Sequence, residues 1–100
     1  MQLEKNRRGR ELRVVLSGEL DHHSAAIIRE EVDRELDGSV KLLTLDMSGI
    51  TFMDSSGIGV VLGRYRRMSE SGGKLRMGGM SIYAEKILRM AGVLALLERK

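Results

Sequence analysis

The stretch Phe52-Met53-Asp54-Ser55-Ser56-Gly57-Ile58-Gly59 joins an apolar run to a segment with helical spacing. The apolar run, residues 42–47, is nearly continuous, which is typical of a strand covered on both faces. Asp54, Ser55 and Ser56 are residue types that cap helices, because their side chains accept hydrogen bonds from unpaired N–H groups of the first turn. The stretch therefore predicts that a buried strand ends here and that a helix begins at Ser55 or Ser56.

Three glycines lie in the first turns of this helix, at Gly57, Gly59 and Gly63. Glycine inside a helix costs about 1 kcal/mol relative to alanine, so three of them call for an explanation. One explanation is close packing of the helix on the sheet, where a side chain would not fit. The other is that the backbone of a partner approaches the helix closely. The sequence leaves both explanations open.

Strand-like and helix-like patterns alternate on both sides of this junction. Alternating apolar residues at Leu12, Val14 and Leu16 predict a half-buried strand, and apolar residues at helical spacing predict helices elsewhere. In chain order we expect an edge strand around 2–5, a strand at 12–16, a helix at about 24–36, a strand at 42–47, a helix from 55 or 56 to about 71, a strand at 74–77, a turn at Gly78–Gly79, a helix at 81–91 and a last strand at 93–97. This order predicts an α/β domain in which helices pack against a mixed sheet of four to five strands.

The length and composition bound the class of protein. One hundred residues, of which 42% are hydrophobic and 31% charged, suit a single globular domain spanning 1–100. The absence of cysteine excludes disulfides, thiol chemistry and cysteine-ligated metal sites. No apolar run approaches the roughly 20 residues that cross a bilayer, and the N-terminus lacks the apolar segment of a signal peptide. We therefore expect a cytoplasmic protein with no membrane partner.

The net charge of +3 raises the alternative of a small basic domain that binds nucleotides or nucleic acid. Only 3% of the residues are aromatic, so the stacking platforms of single-strand binders are nearly absent. Arg64, Arg66 and Arg67 lie off the apolar stripe of their helix, so we expect them on a solvated face or at a docking surface for an acidic partner. The other basic groups lie near the N-terminus and at the tail, Arg99–Lys100. We expect no direct binding of nucleic acid.

Other site chemistries fit the sequence poorly. Asp21, His22, His23 and Ser55 supply the residue types of a hydrolase triad, but no Gly-x-Ser-x-Gly elbow surrounds the serine. Adjacent histidines seldom converge on one metal ion, so we expect no metal site. The glycine spacing that begins at Gly57 misses the dinucleotide-binding pattern by one residue. A serine–histidine hydrolase remains a minor alternative, and no catalytic residue is assigned.

A serine at the start of a helix has a further chemical consequence. A phosphate attached there would meet the positive end of the helix dipole and free N–H donors. From the residues alone, a Ser-Ser pair at a helix start is usually only a cap. Capping and phosphorylation are therefore both open at Ser55.

Two longer motifs stand out along the chain: Gly18-Glu19-Leu20-Asp21-His22-His23-Ser24-Ala25 and Phe52-Met53-Asp54-Ser55-Ser56-Gly57-Ile58-Gly59-Val60-Val61-Leu62-Gly63-Arg64-Tyr65. Together they resemble the STAS-domain anti-sigma factor antagonists, and most nearly the antagonists of the anti-sigma F factor in spore-forming bacteria. The resemblance covers nearly the whole chain in order, including Gly72-Gly73 and the helix that follows. Antagonists of general-stress partner-switching pathways share the same chemistry and are an alternative.

The resemblance implies a binding switch in sporulation rather than an enzyme, with no cofactor. In the family, the anti-sigma factor is also a serine kinase that phosphorylates the first serine of the Asp-Ser-Ser-Gly motif, which is Ser55 here. The unphosphorylated antagonist captures the anti-sigma factor and frees the sigma factor. Phosphorylation prevents capture, and a serine phosphatase reverses it. We expect partner contacts at Asp21, Asp54, Ser56, Gly57 and Arg64.

One departure from the family lies at the C-terminus. Family members commonly continue into a final helix beyond the last strand, whereas this sequence stops at Glu98-Arg99-Lys100. This raises the alternative that the single STAS domain lacks its C-terminal helix. The apolar surface that such a helix covers would then be exposed.

Overall fold

Strands and helices alternate along most of the chain. A computed structural model describes residues 1–98, so the basic tail Arg99–Lys100 lies outside the described residues. In chain order the elements are β1 (Gln2–Arg8), β2 (Glu11–Leu20), α1 (His22–Asp33), β3 (Leu42–Met53), α2 (Ser55–Glu70), β4 (Lys74–Met80), α3 (Ile82–Met90) and α4 (Val93–Glu98). The helices predicted to begin near 55 and 81 are confirmed as α2 and α3. Within residues 1–98, no helix combines the length and the apolar character needed to span a bilayer.

The four strands form one mixed sheet in the order β1-β2-β3-β4. β1 runs antiparallel to β2, with Leu3 opposite Leu16, which confirms the predicted edge strand. β2 and β3 are parallel, as are β3 and β4, and the connections pass through α1 and α2. Parallel neighbours need such crossovers, because a tight turn joins only antiparallel strands. The predicted α/β architecture with a mixed sheet is confirmed.

Helices of the described chain cover one face of this sheet. Leu12 and Val14 of β2 are buried on that face, and so are their partners Leu43 and Leu45 in β3. α1 packs against α2, and α2 also contacts α3 and α4, so the helices form a single layer. The core lies between this layer and the sheet.

The opposite face of the sheet carries long charged side chains. Arg13 donates to Asp46 at 2.8 Å, and Thr44 and Arg76 donate to Glu11 at 2.8 and 3.1 Å. These contacts bridge β2, β3 and β4. Thr44 is fully buried beneath the charged side chains. The predicted burial of β3 on both faces is thus achieved by helices on one side and by side-chain stems on the other.

Several element boundaries differ from those predicted: β1, β2, β3 and β4 all extend further, and α1 ends earlier, at Asp33. α1 begins two residues earlier, at His22, because Asp21 is its N-cap. β3 is longer and continues to Met53, because it stays paired with β2 as far as Leu20. Register shifts interrupt the added pairing. The polar residues in this part of β3 hide the extension from an apolar pattern.

The predicted last strand at 93–97 is wrong, because these residues form the helix α4. Val93 and Leu94 are buried in the core, and Leu97 packs against it from the next turn. This spacing is helical. A short apolar run does not by itself distinguish a strand from a helix.

The predicted turn at Gly78–Gly79 is also wrong, because both residues continue β4. A Cβ on Gly78 would lie 2.9 Å from Cγ2 of Thr44 and 3.2 Å from Nη1 of Arg13. The glycine therefore leaves space for the charged side chains that cross the sheet. Close approach, rather than a change of chain direction, explains this residue.

Candidate functional site

Two helices begin side by side at one edge of the sheet. Leu20 at the end of β2 is paired with Met53 at the end of β3. The backbone N–H of Asp54 donates to the carbonyl of Leu20 at 3.3 Å, which joins the two strand ends. Asp21 and Asp54 follow directly and are the N-caps of α1 and α2. The carboxyl edge of the sheet therefore brings together Asp21, Asp54 and Ser55, three of the predicted site residues.

The start of α1 is held by a reciprocal capping box. The Asp21 carboxylate accepts from the backbone N–H of Ser24 at 3.0 Å, and the Ser24 hydroxyl accepts from the backbone N–H of Asp21 at 2.9 Å. The hydrogen bonds from Ser24 lower the pKa of Asp21, and the nearby His23 adds a smaller effect. The edge that carries Ser55 therefore keeps this negative charge at neutral pH.

The lowered pKa of Asp21 makes stability depend on pH. Its contribution is fully present above the unfolded pKa of 3.8 and is lost as the pH falls through the lower folded pKa. We expect acid to lower the melting temperature of the wild type more than that of Asp21→Asn, because asparagine caps a helix without titrating. Thermal unfolding between about pH 5 and about pH 2 measures the difference. If acid lowers the melting temperatures of the two proteins equally, the Asp21 carboxylate does not contribute to the pH dependence of stability.

Ser55 is the first residue of α2 and lies at the surface. Asp54 caps the helix, and its carboxylate accepts from the backbone N–H of Ser56 at 2.8 Å. Ser55 is exposed, while Ser56 is half-buried. The Ser55 hydroxyl enters none of the side-chain hydrogen bonds formed within residues 1–98. A modifying enzyme can therefore reach this hydroxyl without breaking a contact of the fold.

The structure separates the three glycines of α2 into two kinds. Gly57 is buried, and a Cβ on it would lie 2.5 Å from Cγ and 2.7 Å from Cε of Met53, so packing on β3 explains this glycine. Among the described residues, nothing lies within 4 Å of a Cβ built on Gly59 or Gly63. Neither has a positive φ. The fold therefore does not require glycine at these two positions, which follow Ser55 at intervals of four along the helix.

Arg64 is buried, so the prediction that it lies on an exposed arginine face is wrong. Only 5% of the residue is exposed, and its Nε lies 3.0 Å from Oδ1 of Asp33 in α1. The alignment is too poor for a hydrogen bond, and Nη1 has no hydrogen-bond partner within residues 1–98. Burial lowers the pKa of Arg64, and the charge of Asp33 opposes that shift. This charge pair joins α1 to α2, whereas Arg66 and Arg67 are exposed.

Two of the five predicted partner contacts are buried in the structure. Gly57 and Arg64 are both buried by the packing of α2, against β3 and against α1 respectively. They offer a partner little surface and act within the protein. Asp21, Asp54 and Ser56 are half-buried at the edge of the sheet, and their contact with a partner stays a prediction.

Sequence reasoning missed an exposed aromatic residue beside the site. Phe52, near the end of β3, is paired with Glu19 and is 48% exposed. It lies on the sheet face opposite to the helices, because the next pair, Leu20 and Met53, is buried on the helical face. Two register shifts in this part of the pairing add two residues to β3 in all, so the alternation that buries Met47 on the helical face also places Phe52 on the outer face. The predicted strand ends at residue 47, so Phe52 has no predicted face.

Known proteins are similar to this chain in both sequence and fold. The anti-sigma F factor antagonist of Paenibacillus polymyxa is 34% identical over 94 residues, which cover 93% of this chain and 80% of that protein. The anti-sigma factor antagonist SpoIIAA in its unphosphorylated form matches with a TM-score of 0.83 and 29% identity, over 92% of this chain and 82% of the other. The Bacillus cell fate determinant SpoIIAA in the phosphorylated form matches with a TM-score of 0.76 and 28% identity, over 94% and 86%.

The family match spans nearly the full sequence. The STAS domain pattern aligns with residues 2–99, and so includes both strand ends and both helix starts of the edge described above. The relative from Paenibacillus polymyxa exceeds 30% identity over most of both chains. This chain belongs to the STAS domain family.

Proposed function

We propose that this protein is an anti-sigma factor antagonist that works by partner switching. The unphosphorylated form binds an anti-sigma factor that is also a serine kinase, and so frees the sigma factor. Phosphorylation of Ser55 by that kinase prevents binding, and a serine phosphatase restores it. The relative from Paenibacillus polymyxa is an anti-sigma F factor antagonist, which supports an anti-sigma F factor as the partner. The protein acts by binding alone and needs no cofactor.

The position of Ser55 carries this proposal. Ser55 is exposed at the first residue of α2, and its hydroxyl enters none of the side-chain hydrogen bonds among the described residues. A phosphate there adds about −1.5 to −2 units of charge and is stabilised by the positive end of the helix dipole. The modified residue can therefore be held where it is, without a change of fold. SpoIIAA structures in both phosphorylation states share this fold, which supports a switch confined to the surface.

The chemistry of the kinase explains why phosphorylation stops binding. A kinase that modifies Ser55 must bring the phosphates of its nucleotide against the Ser55 hydroxyl. Once Ser55 carries a phosphate, like charges meet at that point of the interface. Asp54, directly beside Ser55, adds a further negative charge. The product is therefore expelled from the site in which it was made.

The side of α2 that follows Ser55 supports a close approach of the partner. Gly59 and Gly63 lower the intrinsic stability of the helix, and no packing contact within residues 1–98 requires them. Without side chains at these positions, the backbone of a partner can lie directly against α2. We include Ser55, Gly59 and Gly63 in one docking surface with Asp21, Asp54 and Ser56.

Incubation with an anti-sigma factor serine kinase and ATP tests the assignment of Ser55. We expect one phosphate per chain, on Ser55 and not on Ser56, because only the Ser55 hydroxyl is exposed at the helix start. Trypsin releases residues 42–64 as one peptide, since the chain has Lys41 before it and Arg64 at its end. Tandem mass spectrometry then locates the phosphate within it. A phosphate on Ser56, or none in the wild type, would overturn the assignment, and Ser55→Ala is the matched control.

A further inference from the structure

An aromatic side chain lies exposed beside the proposed phosphorylation site. Phe52 precedes Ser55 by three residues and is 48% exposed on the sheet face opposite to the helices. Its neighbour in β2 is Glu19, which is also exposed. A half-exposed phenylalanine leaves a large apolar area in water. It contributes less to the stability of the free protein than a buried aromatic residue would.

Phe52 is close enough to Ser55 to lie within an interface with a kinase that modifies Ser55. Three residues of extended chain span at most about 11 Å, so Phe52 lies within about that distance of Ser55. A standard interface covers about 800 Å² on each partner, which corresponds to a disc about 16 Å in radius. The partner of the proposed function must contact Ser55 itself. An interface centred there therefore reaches Phe52 if it extends across the edge of the sheet to the outer face.

We propose that Phe52 is the aromatic anchor of this docking surface, seated in an apolar pocket of the anti-sigma factor kinase. This inference rests on the proposed function and names the chemistry that the kinase presents. The pocket accepts one aromatic ring, and a basic group at its rim faces Glu19. Aromatic residues at the centre of an interface supply a large share of binding energy, because they bury much area with few rotatable bonds. Phe52 has both properties, and it lies three residues before Ser55, the residue that the kinase modifies in the proposed function.

Another exposed apolar surface on the described chain provides the control. In α3, Met90 is 75% exposed, yet it belongs to the last turn of a helix that follows β4. Its truncation removes a similar exposed apolar side chain without changing the end of β3. Met90→Ala therefore removes a large exposed apolar side chain, as Phe52→Ala does, at a different place on the surface.

Titration calorimetry of the full chain against the nucleotide-bound kinase tests the anchor. We expect Phe52→Ala to weaken binding by about 10-fold or more, Phe52→Leu to recover part of that loss, and Met90→Ala to stay within about twofold of the wild type. In the phosphorylation reaction, Phe52→Ala should raise KM with little change in kcat, because the ring binds the partner and takes no part in phosphoryl transfer. Glu19→Lys tests the rim without altering the ring. It should weaken binding by about fivefold, and more strongly at low salt.

The outcomes separate this inference from the proposed function. Circular dichroism first establishes that each variant is folded. If Phe52→Ala does not fold, Phe52→Leu and Glu19→Lys still test the anchor. Wild-type affinity in the Phe52 variants, together with loss of binding in phosphorylated wild type, would overturn the anchor and leave the switch intact. No binding of unphosphorylated wild type would overturn both. A change in self-association of Phe52→Ala by sedimentation, with unchanged kinase binding, would assign the ring to a second copy and overturn the anchor.

Discussion

Replacing Ser55 by aspartate should weaken binding to the anti-sigma factor kinase by about 100-fold, whereas Ser55→Ala should stay within about threefold of the wild type. Aspartate places a permanent charge at the point where the nucleotide phosphates of the kinase approach α2. A 100-fold loss corresponds to about 2.7 kcal/mol, within the range for like charges brought together at an interface. Alanine removes only a hydroxyl that bonds to no other described side chain. Titration calorimetry with nucleotide-bound kinase measures both variants.

The matched control for this charge is Ser69→Asp. Ser69 is an exposed serine near the opposite end of the same helix, so this variant has the same net charge as Ser55→Asp. It should bind like the wild type, because its new carboxylate lies outside the docking surface. Equal weakening by the two aspartates would assign the effect to net charge. Equal affinity of Ser55→Asp and Ser55→Ala would contradict the electrostatic switch.

Replacing both Gly59 and Gly63 by alanine should make the protein more stable and its complex weaker. The two substitutions should raise the free energy of unfolding by about 2 kcal/mol in total, because alanine is the better helix former and both positions have helical φ. No described residue lies close enough to clash with the added methyl groups. In the complex, the same methyl groups separate α2 from the partner, and we expect a loss of affinity of about 100-fold. Urea unfolding measures the change in the free energy of unfolding, and titration calorimetry measures the change in affinity.

The opposite signs of these two effects make the result specific. Ser69→Ala also replaces a poor helix former on an exposed turn of α2, so it should stabilise the protein slightly and leave binding unchanged. If the double alanine variant is more stable and binds like the wild type, the partner does not lie along α2. If it is less stable, an intramolecular contact explains the glycines instead.

Local chemistry made the start of α2 predictable. Asp54 caps the helix because of its own side chain and the free N–H groups that follow, and both are encoded within a few residues. The same holds for α3, whose cap Ser81 accepts from the backbone N–H of Ala84 at 3.1 Å. The strand β2 was predictable for a similar reason, because its own alternation shows which of its residues face the core.

The errors arose where distant contacts decide the structure. Arg64 is buried because α1 packs over it and supplies Asp33, and the spacing of apolar residues in α2 carries no sign of that neighbour. Phe52 belongs to β3 because the pairing with β2 continues as far as Leu20. Gly78 lies within a strand because β4 stays paired with β3 as far as Met80. Each of these outcomes depends on a contact with another element, which a pattern within one segment cannot report.

The charge pair between Arg64 and Asp33 has a consequence for how the protein binds. Arg64 lies nine residues beyond Ser55, about 14 Å along the helix axis, and it fixes α2 to α1 far from their starts. The pair therefore links the two helices whose N-termini lie at the edge that carries Ser55. A surface already assembled in the free protein loses little conformational entropy on docking, so more of the contact energy remains as affinity. In the proposed switch, the buried pair would thus leave the edge that carries Ser55 assembled before the partner binds.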